Sequence, residues 1–409
     1  MLFRFSVYGF LKNQRYFEPF LILALREKGL SFLQIGVLLG FREVWVNLFE
    51  IPSGAVADLY GRRRAMIVSF SAYIVSLATF AMSRNVAWLF AAMFSYAVGD
   101  AFRSGTHKAM IFDWLRSQGR SHEKTRVYGY TRSWSKIGSA VSVVLAAGLV
   151  FTTGGYTHIF WFAIIPYALN IVNFLGYPAA LDGKHDGPVT FAALFGALRQ
   201  ALREVTGHRP LRRAVLEALG FEGVFHATKD YLQPLLKQVA IGLPVLLFAS
   251  DLKRTAVLVG VVYFILHIMS SVAARQAHRV VDAAGGEDAA TDILWRVDWF
   301  LFAGLLASLV LGWQAPAIAA FVLLMVLQNL WRPALVSRIN THSTPELGAT
   351  VLSIEAQAKS LATMVLAPSI GWAVDATGSF WPVAAAGFVA ATGALLLRAI
   401  SSRPTAGPS

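Results

Sequence analysis

Twelve stretches of this chain are each long and apolar enough to span a lipid bilayer, and that repetition decides the solvent in which it folds. They run over residues 5–26, 32–58, 64–83, 86–114, 127–152, 157–177, 212–238, 254–274, 293–312, 316–339, 348–373 and 379–398. A helix needs about 20 mostly apolar residues to cross the hydrocarbon core. None of these windows has the alternation of a strand meander, and lipid offers no partner for an open sheet edge, so helices remain. With 56% hydrophobic and 14% charged residues the chain is too apolar and too weakly charged for a soluble globule or a disordered segment. The net charge of +13 does not indicate nucleic acid, because the basic residues lie between apolar runs and not on a face of a soluble domain. Absence of cysteine excludes disulfides, zinc–thiolate sites and cysteine nucleophiles.

The connections give the orientation. With the N-terminus inside, Lys and Arg number 19 in the inner connections and termini and 6 in the outer ones. The inner set includes Arg62 to Arg64, Arg116, Arg120, Lys124, Arg126 and Arg338. The positive-inside rule then places both termini in the cytoplasm. Lys12 to Arg15 interrupt the first span and no A-x-A site follows, so this span reads as an uncleaved anchor. One connection is long. Asp182 to Pro188 is rich in turn residues, and beyond it Phe191, Leu194, Phe195, Leu198, Leu202 and Val205 recur at helical spacing opposite Arg199 and Arg203. Such a helix suits the inner leaflet surface. The expected organisation is an N-terminal six-helix bundle over 1–177, a cytoplasmic linker with an amphipathic helix over 178–209, and a C-terminal six-helix bundle over 210–401.

The halves echo one another. Tyr16-Phe17-Glu18-Pro19 in the first span is matched by Tyr231-Leu232-Gln233-Pro234 in the seventh. Lys136 precedes Gly148 by the same twelve residues that separate Lys359 from Gly371, and Phe102-Arg103-Ser104 is echoed by Trp331-Arg332-Pro333. A duplicated six-helix unit is the economical reading, and transporters built from such repeats bind substrate near the midplane.

Ionisable residues inside the spans locate the chemistry. The bases are Lys12, Arg15, Arg42, Arg103, Lys108, Arg132, Lys136, Lys229, Arg332 and Lys359; the acids are Glu18, Glu43, Glu50, Asp100, Glu222, Asp230 and Glu355. Each costs at least ~2.5–3.5 kcal/mol at the bilayer centre, so they pair or line water. Arg132 and Lys136 stand i, i+4 on the fifth span, and Glu355 and Lys359 stand i, i+4 with opposite sign, a spacing that suits either a structural pair or a place in the site. In the first half seven bases face four acids. An unbalanced positive pocket of this kind attracts an anion. The third, sixth and twelfth spans carry no charge in the central layer and are expected to face lipid.

One loop motif is sharp. Between the second and third spans the chain reads Gly54-Ala55-Val56-Ala57-Asp58-Leu59-Tyr60-Gly61-Arg62-Arg63-Arg64. This resembles the loop signature G-x-x-x-D-x-x-G-R-[RK]-x-[RK] of the major facilitator superfamily. The six-plus-six organisation extends the resemblance over almost the whole chain. The resemblance implies a 12-helix transporter fold in two pseudo-symmetric bundles, with Gly54, Asp58, Gly61, Arg62 and Arg64 forming a conformational latch. Gly54 is expected to permit close helix approach, and Asp58 to anchor Arg62 or a neighbouring helix end. Two family features are missing. The position near Met93, early in the fourth span, is apolar where many proton-coupled members carry an Arg, and Gly138 to Gly148 lacks the Gly-Pro of drug/proton antiporters. Gly371, Asp375 and Gly378 repeat the latch skeleton without its arginines and are expected to be a helix-end turn.

The resulting expectation is a secondary active transporter of the cytoplasmic (inner) membrane that moves a small anionic solute by alternating access, with proton coupling as a hypothesis. Arg15, Arg103, Arg132, Lys136, Lys229, Arg332 and Lys359 are the substrate-binding candidates. Glu18, Glu43, Glu50, Asp100, Glu222 and Asp230 are the proton-coupling candidates. A monomer needing no metal or cofactor is expected. The alternatives are an efflux pump for lipophilic or cationic compounds and a substrate sensor that does not transport. His107, His226 and His267 are scattered singly, so no enzyme is expected.

Overall fold

The computed structural model describes residues 1–182, 191–242, 249–343 and 348–401, all helices, turns and connections, with no strand among them. The helices are α1 (Leu2–Leu11), α2 (Leu21–Glu27), α3 (Phe32–Tyr60), α4 (Arg62–Met82), α5 (Val86–Arg103), α6 (Thr106–Ser117), α7 (Lys124–Thr153) and α8 (Thr157–Leu175). They continue as α9 (Phe191–Gly207), α10 (Arg209–Thr228), α11 (Leu232–Gly242), α12 (Asp251–Ala284), α13 (Glu287–Val310), α14 (Gln314–His342), α15 (Gly348–Thr377) and α16 (Trp381–Ser401). Among the described residues seven are long and apolar enough to cross a membrane, in α3, α4, α7, α8, α12, α13 and α14; α1 and most of α16 are shorter apolar helices.

Three expected spans are broken. The first divides into α1 and α2 around a turn ending in the 3₁₀ segment Glu18–Phe20, which begins one residue before Pro19. Lacking an N–H, Pro19 fits a helix start and not an interior. The seventh divides into α10 and α11 at the 3₁₀ turn Lys229–Tyr231, just before Pro234. Both breaks fall at the repeated Tyr-x-x-Pro, so the internal repeat is structural. The fourth divides into α5 and α6 at Ser104–Gly105, where Gly105 takes φ +71°.

Local chemistry sets other ends. Ser31 and Gln34 form a reciprocal cap on α3: the Gln34 amide donates to Ser31 Oγ (3.1 Å) and the Ser31 amide to Gln34 Oε1 (2.9 Å). Gly61, at φ +101°, separates α3 from α4. Gly378, at φ +62°, closes α15 with its amide on the Val374 carbonyl (2.9 Å), as a helix-end turn should.

By contacts the chain forms two units, Met1–Leu194 with Leu236–Ile268, and Phe195–Leu235 with Met269–Ser409. In the first, α4 packs on α5 and α8, α3 on α5, and α1 on α7. Its core is aromatic, with Tyr8, Phe70, Tyr73, Tyr167 and Phe174 all buried. In the second, α10 packs on α15 and α14, and α13 on α14 and α16. Phe221 stacks on Trp331 at 4.2 Å, with Trp295 edge-on to both.

The helices of the sixth and third spans expose apolar stripes. On α8 these are Trp161, Ile165, Leu169 and Val172; on α4 they are Val68, Val75 and Met82. Such faces are stable only against lipid, as the sequence expects of the third and sixth spans.

Candidate functional site

Glycines bring α1 and α7 together. A Cβ at Gly138 would stand 2.5 Å from the Phe10 carbonyl oxygen, and one at Gly9 would stand 2.8 Å from that of Thr131. Small residues let two backbones approach this closely in lipid. Gln14 Nε2 then donates to the Gly138 carbonyl (3.1 Å), a buried bond that fixes the register. Beside this seam lies a cavity of about 360 Å³ walled by α1, α6 and α7. Its cations are Lys12, Arg132 and Lys136, and its other polar groups include Asn13, His107, Tyr128 and Ser135; no carboxylate lines it. Nor does any carboxylate among the described residues stand within ion-pair distance of the three cations. His107 is buried, stacked on Tyr8 at 3.7 Å with its Nε2 3.3 Å from the Tyr177 hydroxyl, and Lys12 Nζ lies 5.2 Å from the Tyr8 ring centroid.

The other charges of this unit are largely spent on each other. Asp100 accepts from Arg42 Nε (3.2 Å), from Arg103 Nη2 (3.2 Å) and from the Tyr73 hydroxyl (2.5 Å), while Arg103 Nε donates to Tyr73 (2.9 Å). Glu43 stands 3.8 Å from Arg42, and Arg15 stands 3.9 Å from Glu18. Glu50 lies half-buried on α3. Of the expected substrate-binding residues in the first half, Arg132 and Lys136 wall the cavity, whereas Arg15 and Arg103 do not.

In the C-terminal unit Glu355 and Lys359, which the spacing left free to pair, form no ion pair with each other. Fully buried Glu355 instead accepts at Oε1 from Arg332 Nη1 of α14 at 2.7 Å. Arg332 also stands 4.0 Å from Glu222, which is buried and approached by His226 (3.7 Å) and Gln328 (3.4 Å). Lys229 pairs with adjacent Asp230 at 2.8 Å, and Lys359 forms no ion pair among the described residues.

Two groups escape a reading by span. Arg338, counted as an inner-loop charge, is in fact 1% exposed inside α14; it donates to Glu217 (2.6 Å) and stands 2.6 Å from Asp288. Asp298, which the count of intramembrane acids passes over, is 6% exposed in α13 and lines a small pocket with Lys229, Thr228 and six apolar side chains.

The loop signature is partly built as expected. Gly61 is required by its positive φ and by crowding, since a Cβ there would lie 2.9 Å from Asp182 Cγ. Arg62 pairs with Asp113 of α6. The Arg63 amide donates to Asp182 (2.8 Å), and Arg64 is exposed. The side chain of Asp58 lies outside the described residues. Gly54 does not do what the sequence suggests: it is exposed, and a Cβ would meet nothing within 4 Å among the described residues, so it mediates no close helix approach here.

Comparison with known proteins decides the family. The profile of the Major Facilitator Superfamily matches residues 12–354. The chain belongs to the major facilitator superfamily. As a member it is a multi-pass membrane transporter of small molecules and not an enzyme. A curated superfamily relative, the MFS-type transporter YxaM of Bacillus subtilis (strain 168), is 37% identical over 95 residues; the match spans 23% of this chain and 24% of that protein. Among solved structures, the nucleoside transporter NupG superposes with a TM-score of 0.74 at 12% identity, covering 98% of this chain and 99% of that one. A peptide transporter POT in complex with sulfate gives a TM-score of 0.70 at 13% identity, covering 98% and 94%. At these identities the likeness is one of fold.

Proposed function

We propose that this superfamily member is a secondary active transporter that moves a small anionic solute across the cytoplasmic membrane by alternating access. The observation that carries the reading is the cavity of about 360 Å³ whose charged wall is Lys12, Arg132 and Lys136. Its volume is that of a small-ligand pocket. Three like charges in a low-dielectric wall repel one another, and a bound anion with two or more oxygens relieves that repulsion while taking an Arg fork and Lys ammoniums as donors. A small polar organic solute carrying carboxylate or phosphate groups is the proposed cargo, in keeping with a fold that nucleoside and peptide transporters share.

The remaining expectations belong to this reading. Both termini are cytoplasmic, twelve spans form bundles over 1–177 and 210–401 joined by the 178–209 linker, and the protein works as a monomer. Gly61, Arg62 and Arg64, with Asp58, act as the latch. Lys229, Arg332 and Lys359 contribute from the second half. Coupling to protons uses a carboxylate of the C-terminal unit, where Glu222 and Asp230 are the acids named from the sequence.

The test is uptake by proteoliposomes from a mixture of sugar phosphates, dicarboxylates, nucleotides, free sugars and organic cations, read by mass spectrometry of the vesicle contents. Accumulation of one or more anions above protein-free vesicles is the expected result. Accumulation of organic cations alone contradicts the reading and points to efflux; binding of an anion without accumulation points to a sensor.

A further inference from the structure

The cavity walled by α1, α6 and α7 holds more than cations. Thr131, Ser135 and Ser139 recur i, i+4, i+8 along α7 and all three line it, one residue out of step with Arg132 and Lys136. At about 1.5 Å per residue this row of hydroxyls runs for roughly 12 Å beside the cations. Asn13, next to Lys12 just past the end of α1, adds an amide to the same cavity.

Where these groups spend their hydrogens decides what they offer. Thr131 Oγ1 donates to the Tyr128 carbonyl (2.9 Å), and Ser139 Oγ donates to the Ser135 carbonyl (3.2 Å). A hydroxyl has one hydrogen and two lone pairs, so both are left with acceptor capacity alone. Asn13 Nδ2 donates to the Gly9 carbonyl (2.8 Å), which leaves Oδ1 and one N–H unused. Ser135 Oγ makes no hydrogen bond among the described residues. Back-bonded hydroxyls are ordinary on a membrane helix. These stand on the wall of a cavity lined by three cations and an amide, and that sets them apart.

The acceptors and the cations ask for different things. A fully ionised phosphate or a plain carboxylate satisfies Lys12, Arg132 and Lys136, yet its oxygens have no hydrogen to give Thr131, Ser139 or Asn13 Oδ1. Once a solute displaces water from the cavity, each acceptor left unpaired weakens binding. The hydrogens therefore come from the solute. An ammonium does not supply them, because three cations and no carboxylate wall the cavity and repel it. Neutral O–H groups do, and several acceptors along one wall call for several of them.

We propose that the solute is a polyhydroxylated anion, a sugar acid or a polyol phosphate, whose acid group is held by Lys12, Arg132 and Lys136 and whose hydroxyls donate to Asn13, Thr131 and Ser139. This rests on the anion reading and narrows it. The cations admit any small anion, and the acceptors select the hydroxylated ones, since a site built to receive a solute hydroxyl rejects the analogue that lacks it. Thr131, Ser139 and Asn13 are then the residues that set specificity.

The test is isothermal titration of the purified full-length protein with two pairs of anions matched in acid group and carbon count: gluconate against hexanoate, and glycerol phosphate against propyl phosphate. In at least one pair the hydroxylated member is expected to bind about tenfold or more tightly than its partner. The pair that shows it tells a carboxylate head from a phosphate head. Thr131→Val combined with Ser139→Ala removes two acceptors and no charge. It should bring the paired affinities to within about threefold of each other while the member without hydroxyls binds as before. Lys136→Ala should instead weaken both members of a pair by the same factor. The wild-type comparison stands by itself if the double variant does not fold. Equal affinities within both pairs overturn the hydroxyl reading and leave the anion reading in place, and a preference that survives the double variant overturns the assignment to Thr131 and Ser139. Binding of none of the four, nor of succinate or inorganic phosphate, overturns the anion reading and this one with it.

Discussion

Lys12, Arg132 and Lys136 are the residues on which the functional reading turns, and their position depends on two glycines that carry no chemistry. A methyl at Gly138 would press on the Phe10 carbonyl oxygen at 2.5 Å, whereas one at Gly148 would meet nothing within 4 Å among the described residues. Gly138→Ala is therefore expected to destabilise the protein by about 1–3 kcal/mol through overpacking, and Gly148→Ala to change little, as melting of the detergent-purified variants will show. Equal melting temperatures would mean that α1 and α7 are not in contact at this seam. At this scale the sequence was legible where one helix decides the answer. The i, i+4 spacing of Arg132 and Lys136 puts both on one wall, and the motif glycine Gly61 does need its positive φ. It misled where two helices decide. Glu355 bonds Arg332 from α14 and not Lys359 on its own helix, and interhelical register is not written in spacing. Asp298, the sixth residue of the ninth apolar run, is not among the acids singled out from the sequence.

Among the helices, the lesson is in the breaks and the ionic ties. Runs of apolar residues predicted continuous helices at the first, fourth and seventh spans; prolines at matched depth and a glycine at φ +71° interrupt them, and Lys12, Arg15, Lys229 and Asp230 gather there. Interrupted helices are tolerated at membrane depth only where they are buried in protein or line a cavity, which is why charge and break coincide. Each unit also carries an ion pair between one helix start and the C-terminal half of a later helix. In the N-terminal unit it joins Arg62 of α4 to Asp113 of α6; in the C-terminal unit, with the signs exchanged, it joins Asp288 of α13 to Arg338 of α14. Arg338 is buried and holds Glu217 as well, which Arg213 also bonds, so Arg338→Ala removes a buried hydrogen-bonded guanidinium and is expected to cost about 1–3 kcal/mol, read as a lowered melting temperature. Substituting the exposed Arg64 the same way should leave melting unchanged. If Arg338→Ala melts like the wild type, the pairing is not structural. For Arg62 the informative variant is the double exchange Arg62→Asp with Asp113→Arg. It should restore the transport lost in either single variant if the pair acts as a switch, and no restoration would assign the loss to Arg62 alone.

For the molecule as a whole, its class was fully legible: apolar runs of bilayer length, the loop signature and the repeat lead to a superfamily that the profile match confirms over residues 12–354. The solute was less so. Charge excess in the first half pointed to an anion, but only the packing of α1, α6 and α7 separates the three cations that wall a cavity from the Arg42–Asp100–Arg103 cluster that satisfies itself. The central claim is that the cavity's cations bind an anionic solute, and the most direct measurement is the thermal shift of purified wild-type protein and Lys136→Ala across a panel of sugar phosphates, carboxylates, nucleotides, sugars and organic cations. Ligand binding raises stability in proportion to the logarithm of ligand concentration over Kd, so a bound anion at about 100 times its Kd adds roughly 2.7 kcal/mol. The account predicts stabilisation of the wild type by an anion and its loss in Lys136→Ala. Stabilisation by cations or lipophiles alone, or an anion effect that survives the substitution, would contradict it.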